Sequence, residues 1–349
     1  MKISMQMPYS GRFEKSVEQT VALEKAGLDI VYVAEAYSFD AVSAMGYVAA
    51  KTSTVQIASG ILPIYTRTPT LLGMTAAGLD YISDGRCILG LGASGPQVIE
   101  GFHGVHYDAP LGRTREIIEI CRKLWAREEK LSYDGKYYQL PLPVEDSKTG
   151  GLGKPLKIIN HPLRPSIPIH IASLGPKNIE LTAELADGWL PIFYVPEKAE
   201  LAFGEGLKKG YAKRSSELGP MDVVAGGTVC IGDDVKGVLD FARPAVALYV
   251  GGMGARDKNF YNQLVCRYGY EADAKNIQDL YLDGHKDEAA AAVPLELLEG
   301  MNLVGSEGYV RERLAAFQEA GVTVLNVNFP WSMSFDDQIT QLEMLKAWV

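Results

Sequence analysis

The sequence predicts a parallel α/β architecture closed as a (β/α)8 TIM barrel, with insertions after the fourth and the seventh strand. Three observations predict it. Short, almost continuous apolar runs alternate with longer amphipathic stretches, the pattern of buried parallel strands joined by helices. Eight such runs occur, the number that closes a barrel. The competing architecture, a doubly wound open sheet, carries a GxGxxG turn after its first strand, and Met7-Pro8-Tyr9-Ser10-Gly11 lacks that spacing.

In order, strands are expected at Ile3–Met7, Ile30–Val33, Val55–Ala58, Cys87–Leu91, Ile167–Ala172, Gly188–Ile192, Val223–Cys230 and Val322–Val327. Helices are expected at Glu14–Ala26, where Val17, Val21 and Leu23 face inward and Gly27 stops the helix. Further helices are expected at Ala41–Lys51 behind an Asp40 cap, at Pro69–Ile82 with proline in the first turn, and at Pro176–Leu185. The first insertion, about 101–166, holds helix-like Arg113–Arg127 and then "KLSYDGKYYQLPLP", in which Asp134-Gly135 signals a hairpin. The second, about 252–300, reads as helical and contains "NFYNQLVCRYGY". Both are expected to wall the pocket at the strands' C-terminal ends. No repeat or linker divides the chain, so 1–349 reads as a single domain.

The 349 residues are 47% apolar and carry a net charge of −9, which argues against a nucleic-acid partner. No apolar run approaches the roughly 20 residues of a membrane span, and Met1–Met5 runs directly into a strand, so a cytoplasmic location is expected. The four cysteines show no CxxC pairing, and Cys87 and Cys230 sit in apolar runs as reduced core residues. The five histidines do not cluster, so no metal site is expected; His103, close after the fourth strand, either matters to the chemistry or serves a surface loop. Neither a GxSxG elbow nor a Cys/His pair supports hydrolysis.

In a barrel the chemistry sits where strands end and helices begin. After the fifth strand, Ser173-Leu174-Gly175-Pro176 opens a helix whose free N–H groups suit a phosphate, with Lys177 able to add charge. A plain Ser/Gly-Pro helix start accounts for the same residues. After the fourth strand, Gly90, Gly92 and Gly95 spell GxGxxG in the wrong place for a dinucleotide fingerprint. They serve either close packing or the approach of a planar ligand. After the second strand, Glu35 and Tyr37 reach the mouth, where Glu35 either touches ligand or pairs with Arg67. Gln6, Pro8 and Tyr9, then Phe193 and Tyr194, then Asn326, Asn328 and Trp331 end their strands on the same face. Tyr261, Tyr268 and Tyr270 either line a pocket or pack the insertion. The third strand ends in Ser59-Gly60-Ile61-Leu62-Pro63, too small and apolar for an ordinary surface turn.

Together "ILPIYTRTP", "LDYISDGRCILGLGAS", "REIIEICRKLW", "IASLGPKNIELTAELADGWLP" and "AFQEAGVTVLNVNF" resemble, in order and spacing, the bacterial-luciferase-like superfamily of flavin and deazaflavin barrels. The likeness is greatest to its coenzyme F420-dependent oxidoreductase branch and spans nearly the whole chain. The resemblance implies a homodimer acting on a small-molecule substrate. It implies a non-proline cis peptide at Gly60–Ile61, and cofactor contacts at Pro8, Glu35, Ser59, Gly60, Ile61 and Ser94. It implies phosphate contacts at Ser173, Leu174, Gly175 and Lys177. Where relatives in that branch carry an Asp-His pair after strand two and a Glu after strand four, this chain has Glu35-Ala36 and Ser94-Gly95-Pro96. That departure favours reduction of an activated C=C or C=N bond over alcohol oxidation. The candidate catalytic residues are then Glu35, Tyr37 and Tyr65, with water or a tyrosine giving the proton. The alternatives are an FMN-dependent monooxygenase served by a partner reductase, and a non-catalytic cofactor-binding barrel.

Overall fold

The structure, a computed structural model, describes residues 1–8 and 11–349. Tyr9, read above as a mouth residue, lies outside the described residues. Eight parallel strands run β1 (Lys2–Gln6), β2 (Ile30–Val33), β3 (Gln56–Ser59), β4 (Cys87–Gly92), β5 (Ile169–Ala172), β6 (Gly188–Leu190), β7 (Asp222–Ala225) and β8 (Val324–Val327). Each pairs with the next, and β8 returns to β1 through Lys2 opposite Val324, so the sheet closes. Around it lie α1 (Phe13–Lys25), α2 (Ala41–Lys51), α3 (Pro69–Ile82), α4 (Pro110–Ala126), α5 (Pro176–Leu185), α6 (Ala199–Tyr211), α7 (Glu307–Glu319) and α8 (Phe335–Trp348). The caps follow the sequence. The Asp40 carboxylate accepts from the Ser43 N–H at 2.7 Å, and the Thr68 hydroxyl accepts from the Leu71 N–H at 3.2 Å ahead of Pro69.

Alternation sorts each strand between two cores. Outward residues such as Val31, Ile57, Leu89, Ile169 and Trp189 pack under the helices. Inward Ile30, Tyr32, Ala58, Ile88, Val224 and Val324 plug the lower barrel. One buried polar pair joins that plug: the Tyr32 hydroxyl lies 2.9 Å from His170 Nδ1. Above the plug the inward positions are small, with Gly90 and Gly92 on β4 and Ala172 on β5. Gly90 is where the barrel closes most tightly. The Ser59 hydroxyl donates to the Gly90 carbonyl and accepts from the Gly90 N–H, both at 2.8 Å. A Cβ on Gly90 would lie 1.7 Å from the Ser59 carbonyl oxygen.

Two expectations are corrected. The seventh run is not one strand. β7 stops at Ala225, Gly226 takes φ +152 against the Asn326 backbone, and Val229–Ile231 leaves the barrel to pair with Leu303–Gly305. The first insertion reaches the mouth only in part. α4 carries the chain from the mouth to the opposite end, where Leu131 bridges to Leu156 and Arg127 donates to the Ile158 carbonyl at 3.1 Å. The hairpin of Tyr133–Asp134 and Gln139–Leu140 then returns along α4: the Glu116 carboxylate accepts the N–H groups of Lys136, Tyr137 and Tyr138 at 2.8–3.0 Å, and Arg113, in the helix's first turn, lies over the Tyr137 and Tyr138 rings at 5.5 and 5.4 Å. Arg164 then pairs with the fully buried Asp80 and donates to the Cys87 carbonyl at 2.9 Å. The second insertion does rise over the mouth, as helices Phe260–Arg267, Glu271–Leu282, Lys286–Ala291 and Leu295–Met301.

Two outcomes test this frame. Gly90→Ala abolishes the β3–β4 closure and yields no cooperatively melting protein. Gly308→Ala, an added carbon with nothing within 4 Å on an exposed first helical turn, melts at or slightly above the parent temperature. Burial pushes the pKa of His170 down to about 4. Unfolded, the imidazole regains its ordinary value of 6.5, so across that interval the unfolded chain binds the additional proton. Stability therefore falls as pH drops from about 6.5 towards 4, by on the order of 3 kcal/mol from this group. Denaturant titrations across that range show a shallower acid limb for His170→Gln.

Candidate active site

The mouth is floored by backbone and small side chains. Gly60 follows β3 directly, with its N–H on the Val33 carbonyl at 2.8 Å, and the Gly60–Ile61 peptide is cis. The space where a Gly60 side chain would start is bounded by Tyr32 Cβ at 2.9 Å and Gln6 Oε1 at 3.1 Å. Ile61 is half-buried, and its side chain passes 3.0 Å from the position of a Cβ on Gly92, with Ala172 Cβ on the other side at 3.5 Å. Pro8 and Ser94 stand exposed at the ends of β1 and β4, and Ser94 takes φ +58 as the chain turns towards Pro96. Ser59 differs from the other residues of this group. It is fully buried and its hydroxyl is spent on Gly90, so it supports the floor from beneath rather than presenting an atom to the cleft.

Glu35 is tied up. Arg67 holds it by two parallel bonds, Nη1 to Oε1 at 2.5 Å and Nη2 to Oε2 at 2.8 Å, and the Ala41 N–H adds a third at 3.0 Å. Arg67 also donates to Asp40 at 2.6 Å. The side chains of Glu35 and Arg67 are only 12% and 13% exposed. Of the two readings open from sequence, pairing with Arg67 describes the carboxylate. Tyr37 stands exposed with its ring 6.4 Å from that of Phe102. Tyr65 is half-buried; its hydroxyl donates to the Asp108 carbonyl at 2.8 Å, its ring lies 5.2 Å from that of Tyr107, and burial raises its pKa. His103 is exposed and packs edge-on against Phe102, away from the floor.

Across the mouth, the loop after β5 presents the other end of the site. Pro176 has no N–H, Asn178 and Ile179 donate to the Gly175 carbonyl, and no side chain caps α5. The Lys177 N–H is left as the open donor, and the Lys177 side chain is exposed beside it. The Ser173 hydroxyl is 2.8 Å from Thr182 Oγ1, facing the helix rather than the cleft. The second insertion adds what the sequence reading missed. Arg267 Nη2 donates to the Leu174 carbonyl at 2.8 Å, while its buried Nε finds no protein partner. Seven residues earlier on the same helix face, the Phe260 ring lies 3.6 Å from where a Gly175 side chain would begin. That i, i+7 spacing was the available signal. Of the three insertion tyrosines, Tyr268 is core, with its hydroxyl on the Phe193 carbonyl at 2.9 Å, whereas Tyr261 reaches the mouth.

A flat floor, a ring of aromatic side chains and an uncapped helix end with Lys177 and Arg267 fit a planar cofactor carrying an anionic tail. Among the described residues no group of three or more His, Cys, Asp or Glu is placed to hold a metal ion, and no helix is long and apolar enough to cross a membrane.

The comparisons agree with this geometry. A Mycobacterium tuberculosis protein provisionally named a coenzyme F420-dependent oxidoreductase is 42% identical over 331 residues, which cover 94% of each chain. The 5,10-methylenetetrahydromethanopterin reductase of Archaeoglobus fulgidus is 28% identical over 313 residues, 88% of this chain and 87% of its own. Among solved structures, the coenzyme F420-dependent tetrahydromethanopterin reductase of Methanopyrus kandleri superposes with a TM-score of 0.77 at 21% identity, covering 100% of this chain and 98% of that one. The model of the luciferase-like monooxygenase family matches residues 1–324, and the chain belongs to that family.

Proposed function

We propose that the chain is an oxidoreductase that transfers a hydride between coenzyme F420 and a small organic substrate, reducing an activated C=C or C=N bond. The observation that carries this reading is the state of Glu35. With both oxygens held by Arg67 and a backbone N–H on one of them, no free carboxylate stands at the strand-two end of the mouth to take a proton from an alcohol. A conjugated acceptor needs only a proton donor. The relative at 42% identity, with F420 in its name, supports the choice of cofactor.

When bound, the deazaflavin supplies a two-electron hydride carrier that reacts poorly with oxygen. The chain's part is to position and to exclude water. Gly60 and Ile61 would support one ring face, with Ser59 beneath them and Pro8, Ser94 and the Glu35–Arg67 pair at its edges. The Leu174–Gly175 backbone and Lys177 receive the phosphate, with Arg267 behind them and Ser173 holding the loop through Thr182. Tyr65 is the candidate proton donor by position. Its O–H rests on the Asp108 carbonyl at 2.8 Å and serves an acceptor once that bond is exchanged; Tyr37 guards the entrance. The family's description as monooxygenases favours one second reading, FMN-dependent oxygenation with a partner reductase.

The chain further reads as a cytoplasmic homodimer. Leu71, Met74, Tyr81 and Ile82 form an exposed apolar stripe on α3.

Fluorescence titration with oxidised F420 gives saturable, micromolar binding; tight FMN binding alone, with oxygen uptake by the reduced flavin, sinks the hydride-transfer reading. Tyr65→Phe binds F420 as the parent does and lowers kcat by about 100-fold. Light scattering gives twice the chain mass, and Met74→Glu combined with Tyr81→Glu gives the single mass.

A further inference from the structure

The second insertion contributes more than a cover. Its helix Phe260–Arg267 touches the phosphate loop through Phe260 and Arg267, and it also carries Tyr261 into the opposite side of the cleft. There Phe193, Tyr249 and Tyr261 form a closed group of three rings. Centroids are 4.8 Å apart for Tyr249 and Tyr261, 5.5 Å for Phe193 and Tyr249, and 6.1 Å for Phe193 and Tyr261. Each pair is close to perpendicular, at 79°, 88° and 68°. Phe193 reaches this group from the end of β6 with φ +55, an unusual conformation for a phenylalanine. Tyr65 and Tyr107, tilted at 39° with centroids 5.2 Å apart, come from the β3 and β4 ends. The Tyr107 phenol lies near enough to add to the upward shift that burial imposes on Tyr261.

These five rings differ from the aromatic core in one respect. Trp189, Phe203 and Tyr268 are fully buried, whereas all five mouth rings are only half-buried. The charges that reach the same region are mutually satisfied. Arg113 binds both oxygens of Asp108 at 2.9 and 3.0 Å, and Arg67 is shared between Glu35 and Asp40. Rings meeting at right angles offer an incoming flat molecule both faces and edges, the arrangement in which aromatic pairs gain beyond simple area burial.

We infer that the acceptor side of the cleft is built for an uncharged, planar, aryl-conjugated molecule, one whose reducible bond is conjugated to an aromatic ring system, gripped between the Tyr65–Tyr107 wall and the Phe193–Tyr249–Tyr261 cluster. This rests on the hydride-transfer reading for the chemistry, but the recognition stands on the rings alone. With the cofactor bound, the reduced deazaflavin would supply the hydride for the β-carbon and Tyr65 or water the proton for the α-carbon, so that the C=C π pair becomes the new C–H bond there.

The test is direct binding to the full chain of 4-(2-naphthyl)but-3-en-2-one, followed by its own absorbance, against the aliphatic 3-penten-2-one by competition. The naphthyl enone binds at least tenfold more tightly. Tyr249→Leu and Tyr261→Leu each weaken it about fivefold, and Tyr261→Phe, which keeps the ring, restores it. Equal affinity for both enones, or leucine variants that bind as the parent does, overturns the inference. F420 titration of the same samples separates the two claims. An intact naphthyl preference without F420 binding removes the hydride-transfer reading and leaves the aromatic pocket. F420 binding without the preference does the reverse.

Discussion

The contact between Ser59 and Gly90 is the constraint on which the rest of the molecule depends. A hydroxyl that both donates to and accepts from the same residue draws β3 and β4 together where the barrel closes. The approach is possible only because residue 90 has no side chain. It uses up the one hydroxyl at the end of β3, so that strand continues into the mouth as bare backbone at Gly60 and an apolar Ile61. The floor of the cleft is thus a by-product of barrel closure. Beneath it, Tyr32 abuts Gly60 and is itself held by His170, so the floor rests on the plug rather than on solvent-exposed loops.

Electrostatically the mouth is divided. On the β2–β3 side, Arg67 is shared by Glu35 and Asp40, which leaves one net negative charge. On the β5 side, an uncapped helix end, Lys177 and Arg267 leave positive character uncompensated. In a chain of net charge −9 this local asymmetry orients an anionic cofactor, because its tail is welcome at one end of the cleft only.

Much of this was legible in the sequence. Strand periodicity and the positions of Pro69, Pro176 and Asp40 gave α2, α3 and α5 their observed ends, because caps and prolines act locally. The parting of Val223–Cys230 was less legible. Gly226-Gly227-Thr228 interrupts the run, a break the apolar flanks masked, and the φ of +152 at Gly226 marks where the chain leaves the sheet. The first insertion divides in a way composition does not reveal: Tyr137 and Tyr138 come back to Arg113 at the start of α4, while Arg164 on Asp80 fixes the later part at the far end. At the site, Glu35 was left between two roles, since its partner lies 32 positions away in the chain. Arg267 escaped notice although its i, i+7 spacing from Phe260 was there to be read, and Tyr107 because a lone tyrosine in a loop has no period to betray it.

The helix Phe260–Arg267 is eight residues long and serves both halves of the cleft. On the proposed reading this limits how the protein can acquire new acceptors. Drift in the whole insertion disturbs the phosphate loop along with the aromatic wall, so changes of range are confined to single side-chain replacements at positions such as 261. Descendants of this chain would then diversify by exchanging rings, while the segment that carries them stays fixed in length and place.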